Sequence, residues 1–135
     1  MTWDNAYRKI THNIEILVIP EYQTDRSQPD NNLFIWSYRI RLENHGDVAV
    51  TLRQRCWHIT DALGHTEVVR GAGVVGEQPT LAPGESYEYA SGTPLATPSG
   101  IMLGTYDMEK EDGDWITVEI PAFSLDSPYE QSRMN

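Results

Sequence analysis

From Phe34 to Asn44 the chain alternates without a break. Phe34, Trp36, Tyr38, Ile40 and Leu42 take one side, and Ser37, Arg39, Arg41 and Glu43 take the other. Period two over this length predicts an antiparallel strand with one face on a core. Ile14, Ile16 and Val18 alternate with Glu15, Leu17 and Ile19, which predicts a strand covered on both faces and closed by Pro20. Val50 to Thr60 forms the next strand. Trp57 and Ile59 there share a face with Arg53 and Arg55, while Leu52, Cys56 and His58 share the other. Asp61-Ala62-Leu63-Gly64 has the Asp-first, Gly-last preference of a type I turn and leads to a return strand, His65 to Val69. Ser86 to Ser91 carries Tyr87 and Tyr89 on one face. Ile101 to Glu109 carries Met102, Tyr106 and Met108 inward, with Gly104 marking a bulge or a close approach. Trp115 to Ile120 returns with Ile116, Val118 and Ile120 inward, and Pro121 ends it.

Between these runs lie turn signals. Tyr22 to Asn32 is polar and too long for a tight hairpin, so it reads as an exposed loop. Asn44-His45-Gly46-Asp47 and Glu111-Asp112-Gly113-Asp114 turn the chain, and Ala82-Pro83-Gly84-Glu85 suits a type II turn. Gly92 to Gly100 holds two prolines and reads as a loop. Residues 1–12 read as a loose lead-in, and residues 126–135 as a polar tail that frays. Seven or eight short strands and no helix predict an all-β fold, an antiparallel sandwich or barrel. A buried Trp36 or Trp57 suits a sandwich core.

Length makes residues 1–135 one domain, able to bury roughly two-thirds of its unfolded surface without a metal or a disulfide. A single cysteine, Cys56, rules out an intrachain disulfide and fits a reducing compartment, so a cytoplasmic location is expected. The first ten residues carry an acid and no apolar run, so no secretory signal is expected. Ile16-Leu17-Val18-Ile19 is the longest aliphatic run, too short to cross a bilayer. The formal charge of −10 disfavours nucleic acid and suits a cationic partner surface.

Gly71-x-Gly73-x-x-Gly76 has dinucleotide-binding spacing. That chemistry needs a helix after the glycines, whose first amides hold the pyrophosphate. Here Glu77-Gln78-Pro79-Thr80-Leu81-Ala82-Pro83-Gly84 follows, with no apolar residues at helical spacing. The glycines are therefore expected to build a corner. The other reading is an anion nest of consecutive amides beside Arg70, a nucleotide or pyrophosphate site at Arg70, Gly71, Gly73 and Gly76.

No metal and no cofactor are assigned. The one candidate ligand set is His58, His65 and Glu67, which a four-residue turn at Asp61–Gly64 would bring to one sheet face. His12 and His45 have no evident partners. Cys56 lies in mid-strand, where Arg55 points to the opposite side, and reads as a small half-buried thiol rather than a nucleophile. No carboxylate pair implies glycoside chemistry. Leu17, Ile19, Ile35 and Trp115 fall opposite the core faces of their strands and are expected to form an exposed contact patch, while edge strands offer pairing with a second copy.

One stretch is distinctive as a whole: Arg70-Gly71-x-Gly73-Val74-Val75-Gly76-Glu77-Gln78-Pro79, then Leu81-x-Pro83-Gly84. With Tyr89-x-Ser91-Gly92, Gly100-x-Met102-x-Gly104-x-Tyr106-x-Met108 and Ile120-Pro121-x-Phe123-x-Leu125 it resembles the ApaG family. Arg55-x-Trp57-x-Ile59-Thr60-Asp61 and Tyr38-x-Ile40-x-Leu42-x-Asn44-x-Gly46 extend the resemblance over nearly the whole chain, and Trp36 departs from it where a smaller aromatic is expected. The resemblance implies a fibronectin type III-like sandwich of the immunoglobulin kind, though without the immunoglobulin cysteine pair. It further implies an association with diadenosine tetraphosphate metabolism, ribosomal RNA methylation and cobalt or magnesium sensitivity. Related domains in larger proteins are protein-interaction modules, and no catalytic residues carry over. The expectation is a non-enzymatic module that binds a protein partner.

Overall fold

The computed structural model describes residues 2–129. Nine strands follow in chain order: β1 (Tyr7–Thr11), β2 (Ile14–Tyr22), β3 (Phe34–Asn44), β4 (Val50–Asp61), β5 (Thr66–Ala72), β6 (Thr80–Leu81), β7 (Ser86–Leu95), β8 (Gly100–Lys110) and β9 (Trp115–Leu125). The one helical element among the described residues is a 3-10 turn at Pro29–Asn31, inside the expected loop. The first sheet runs β1-β2-β3-β7 and the second β5-β4-β8-β9, with β6 joined to the start of β4. All pairings are antiparallel.

The inward residues of both sheets meet in one core. Ile14, Ile16, Val18, Trp36, Ile40 and Leu42 come from the first, and Leu52, Trp57, Met102, Tyr106, Met108 and Phe123 from the second. Tyr38 and Phe123 both pack against Trp57, with centroids 5.4 and 6.0 Å away. Gly104 is the predicted close approach: a Cβ there would lie 2.4 Å from the Cys56 carbonyl oxygen.

Proline does not stop three of the strands. β2 continues through Pro20 to Tyr22, because Pro20 lies beyond Val18, the last residue that β1 reaches, on a stretch with one open side. β7 runs past Gly92 to Leu95, and its Pro94 is tolerated on an edge strand. β9 runs past Pro121 to Leu125, with Pro121 inside a bulge between the pairs Gly104–Ile120 and Met102–Phe123. A second bulge, at Arg53, interrupts the pairing of β4 with β8. It switches the phase of β4, so that Leu52 faces the core together with Trp57 and Ile59 rather than sharing a face with Cys56 and His58.

The chain ends also differ from expectation. Tyr7–Thr11, within the stretch read as a loose lead-in, pairs with Ile14–Val18 through a turn at His12 and Asn13, both at positive φ. Side chains of β1 reach across to β9: Lys9 meets Glu119 at 3.2 Å, Thr11 Oγ1 accepts from the Glu119 amide, and Tyr7 Oη accepts from the Ser124 amide. Residues 126–129 are held as well. The Asp126 carbonyl accepts from Trp36 Nε1 at 2.8 Å, Ser127 Oγ donates to the Pro98 carbonyl at 2.7 Å, and Tyr129 packs on Tyr22 and Phe34. Residues 130–135 of the expected tail lie outside the described residues.

Candidate functional site

The glycine stretch is a corner at the open end of β5. Gly71 lies beneath the Arg55 guanidinium, where a Cβ would come within 2.6 Å of Nη1. Arg55 Nη1 donates to the carbonyls of Ala72 at 3.2 Å and Gly73 at 2.8 Å. The Gly73 amide donates to the Arg53 carbonyl at 2.8 Å. Val74 and Glu77 then exchange both backbone hydrogen bonds, each 2.8 Å, around Val75 and Gly76, which sit at φ 41° and 82°. Two central residues at positive φ make this a mirror-image hairpin turn, and a β-branched residue at such a φ is a backbone outlier. The turn drops Val74 fully into the core. No helix follows, so nothing aligns amides on a pyrophosphate. The amides of Gly73, Val74 and Glu77 are already donated, and Arg53 is engaged by Glu109 and Gln78, both at 3.0 Å. Arg70 stands on the far face of β5, opposite Cys56 in register.

The three candidate metal ligands do not meet. Thr60 pairs with Thr66 rather than His65, so His58 lies opposite Val68, and Glu67 lies opposite Ile59. Gly64 at φ 86° explains the slip: Asp61 and His65 close a loop one residue longer than the turn expected. A shift of one residue carries Glu67 to the other sheet face from His58. His65 is left beside Asp61, with Nδ1 3.5 Å from Oδ2.

A different cluster forms around His45. Glu15 and Glu43 are cross-strand neighbours on β2 and β3, a like-charge pairing that needs compensation. His45 Nε2 lies 2.9 Å from Glu15 Oε1, and Nδ1 lies 3.6 Å from Glu43 Oε2. Arg8 pairs with Glu15, and Arg41 with Glu43 at 3.1 Å. Asn44 sets the ring in place. Its buried amide donates to the carbonyls of Val48 and Leu81, and its oxygen accepts from the Gly46 amide. One donor atom from each of Glu15, Glu43 and His45 falls within 4.8 Å of the others, the one such group of three among the described residues. Yet each carboxylate already holds a guanidinium, and the two ring nitrogens face different acids. The arrangement is an ion network closing one end of the first sheet.

The His45 hydrogen bond lowers the pKa of Glu15; burial opposes it, and Arg8 assists. A depressed carboxylate adds stability that is present above its unfolded pKa, near 4.5, and lost as pH falls through the lower folded value. Acid unfolding followed by tryptophan fluorescence should therefore show stability falling below about pH 4.5. Glu15→Gln should flatten that limb, and an unchanged limb would remove Glu15 from the cause.

The open apolar surface is on the second sheet. Its outward rows run Thr66–Thr60–Ile101, Val68–His58–Leu103 and Arg70–Cys56–Thr105 across β5, β4 and β8. Val68, Ile101 and Leu103 are 47%, 51% and 45% exposed, and the first two rows hold no acid, lysine or arginine. Cys56 Sγ lies 3.7 Å from His58 Nε2 in the same area. The patch expected from Leu17, Ile19, Ile35 and Trp115 does not form. The first three are half-buried on the outer face of the first sheet, where Trp3 lies over Arg39, while Trp115 stands exposed on β9. The signal for this open surface was present in the sequence, since Ile101 and Leu103 alternate with the inward Met102 and Gly104.

Three strands, β2-β3-β7, facing four, β5-β4-β8-β9, define a fibronectin type III-like sandwich with β1 added at one edge. The chain belongs to the ApaG family: the ApaG domain pattern matches residues 24–110. It is 57% identical over 129 residues to Protein ApaG of Paramagnetospirillum magneticum, covering 96% of this chain and 99% of the relative. Protein ApaG of Parvibaculum lavamentivorans is 56% identical over 123 residues, covering 91% and 95%. The crystal structure of a Bordetella pertussis protein given the name ApaA superposes with a TM-score of 0.84 at 40% identity, covering 88% of this chain and 97% of that one. None of these names describes an enzymatic activity. No helix among the described residues is long and apolar enough to cross a membrane.

Proposed function

We propose that the chain is a non-catalytic interaction module that binds a protein partner through the outer face of its second sheet, in the cytoplasm. The observation that carries this reading is the uncharged, half-exposed set Val68, Ile101 and Leu103 on a chain of formal charge −10. Apolar side chains held open on a rigid sheet, with charge kept to the margin, suit the centre of a protein contact. The alternative, a nucleotide or pyrophosphate site at Arg70 and Gly71–Gly76, needs free amides and converging cations. The donated amides of Gly73, Val74 and Glu77 and the engaged Arg53 and Arg55 weigh against it.

Affinity capture from a bacterial lysate, with mass spectrometry of the retained proteins, tests the reading. Leu103→Glu and Ile101→Glu should each lose a partner that the parent retains, while melting within a few degrees of it, as solvent-facing substitutions do. Retention that survives both substitutions would move the contact elsewhere. A parent midpoint that rises with millimolar ATP or diadenosine tetraphosphate would favour the nucleotide reading.

A further inference from the structure

We propose that two copies of the chain pair edge to edge through β5, around a two-fold axis at Val69, and join their second sheets into one continuous antiparallel sheet. The free edge follows from how β5 bonds to β4. The Asp61 amide donates to the His65 carbonyl at 2.9 Å just before β5, and the Gly73 amide donates to the Arg53 carbonyl at 2.8 Å just after it. In an antiparallel ladder, pairs that exchange hydrogen bonds alternate with pairs that do not. Both ends set the same phase: Glu67, Val69 and Gly71 bond to β4, opposite Ile59, Trp57 and Arg55. The N–H and C=O groups of Thr66, Val68 and Arg70 therefore point away from β4, and no strand among the described residues lies beyond β5. No proline, lysine or bulge interrupts Thr66–Ala72, whereas β7, the other edge on this flank, carries Pro94 and Glu88. The one guard on β5 is Glu67, an acid on the same face as the buried Ile59.

The register selects a second copy as the occupant. A two-fold axis normal to the sheet keeps its faces, so residues of one face meet each other. An axis at Glu67 or at Arg70 sets that charge against itself. The axis at Val69, the midpoint of Thr66–Ala72, overlaps the whole strand. Val68 then exchanges both backbone hydrogen bonds with Arg70 of the second copy, and Thr66 faces Ala72. On the inward side Glu67 comes opposite Gly71 of the second copy, where the Arg55 guanidinium fills the space a Cβ would take. An axis at Val68 sets Glu67 against Val69 instead. Glu67 has no ion pair or side-chain hydrogen bond among the described residues. Arg55 has no carboxylate there either: Nη1 serves the carbonyls of Ala72 and Gly73, while Nε and Nη2 are left for an acid. Within one copy Glu67 and Gly71 stand four residues apart on the strand, about 13 Å, too far for the two charges to meet. Two copies pair them on both sides of the axis, a complementarity that a foreign strand does not share.

Sedimentation velocity of the full chain, from micromolar to near-millimolar concentration, tests the assembly. About 0.15 M salt screens the repulsion between two chains of formal charge −10. A reversible dimer is expected in the upper part of that range, since one strand edge makes a small interface. Amide hydrogen exchange by NMR at the two ends of the range should show Val68 and Arg70 gaining about tenfold protection in the dimer, with Glu67 and Val69 protected in both. Glu67→Gln removes two partly exposed ion pairs and should weaken association about tenfold. Glu67→Lys, which sets a cation against Arg55, should weaken it further. Val68→Pro removes a donor that β4 does not use, so it should melt close to the parent and remain monomeric. A parent that sediments as a monomer throughout overturns the proposal. So does a dimer in which Val68 and Arg70 exchange at the monomer rate, or one indifferent to Glu67→Lys. If Val68→Pro fails to fold, the Glu67 variants and the exchange rates still decide. Pairing of β5 with a lysate protein, by a chain that is monomeric alone, overturns the second-copy assignment. Leu103→Glu should abolish capture yet leave the dimer, so this proposal and the docking reading can fail separately.

Discussion

Gly73→Ala is expected to cost about 3 kcal/mol, seen in thermal unfolding as a midpoint lower by on the order of 10 °C. Two effects add. Gly73 sits at φ 59°, where a Cβ is disfavoured by about 1–2 kcal/mol. The same Cβ would fall 2.1 Å from the Glu77 carbonyl oxygen, a backbone atom that cannot swing away. That oxygen accepts from Val74, so relief opens the turn and lifts a fully buried side chain from the core. Gly76 is the internal control. It lies at φ 82° with open space around it, so alanine there should cost only about 1 kcal/mol. Equal losses at the two positions would refute the close approach. Glycines that served a phosphate would behave in the reverse way, with both variants melting like the parent and losing a nucleotide-dependent rise in midpoint.

Trp36→Ala should destabilise by about 4 kcal/mol in urea titration, within the range for removing a buried indole. Trp36 is 1% exposed, stands edge-on to Tyr22 at 5.3 Å, and donates through Nε1 to the Asp126 carbonyl. Its loss opens a void and also removes one tie on residues 126–129, of which Tyr129 packs over Tyr22 and Phe34. Trp36→Phe refills much of the void but not the tether. It should cost about 1–2 kcal/mol and expose the C-terminal segment to protease before the core. Two variants of equal mildness would mean that Trp36 neither fills nor ties.

The strands that alternate cleanly were legible in the sequence. Phe34–Asn44 reads directly off its pattern because one buried face fixes the register of the whole strand. Misreadings fell where a local rule has a spatial exception. Pro20, Pro94 and Pro121 end strands by propensity, but an open edge or a bulge removes the penalty, and neither exists until the sheets are assembled. The bulge at Arg53 changes phase without any glycine to announce it. One residue in the Asp61–His65 loop decided whether His58 met Glu67, and composition does not count turn residues that finely. Candidate sites fared worse than the fold because they depend on distant pairs. His45 and Glu15 are 30 residues apart, and only the pairing of β2 with β3 brings them together.

The short strand β1 has a consequence for assembly. By placing Thr11 Oγ1 and Tyr7 Oη on the amides of Glu119 and Ser124, it laces β1 and β9 together along one flank of the sandwich. The opposite flank, where β5 and β7 are the last strands of their sheets, stays open. A filament built by strand addition needs two joinable flanks on every copy, whereas a single self-matching flank closes on a two-fold axis. Growth by that route would therefore stop at two copies, and the five residues of β1 act as a terminator of polymer growth rather than as a lead-in.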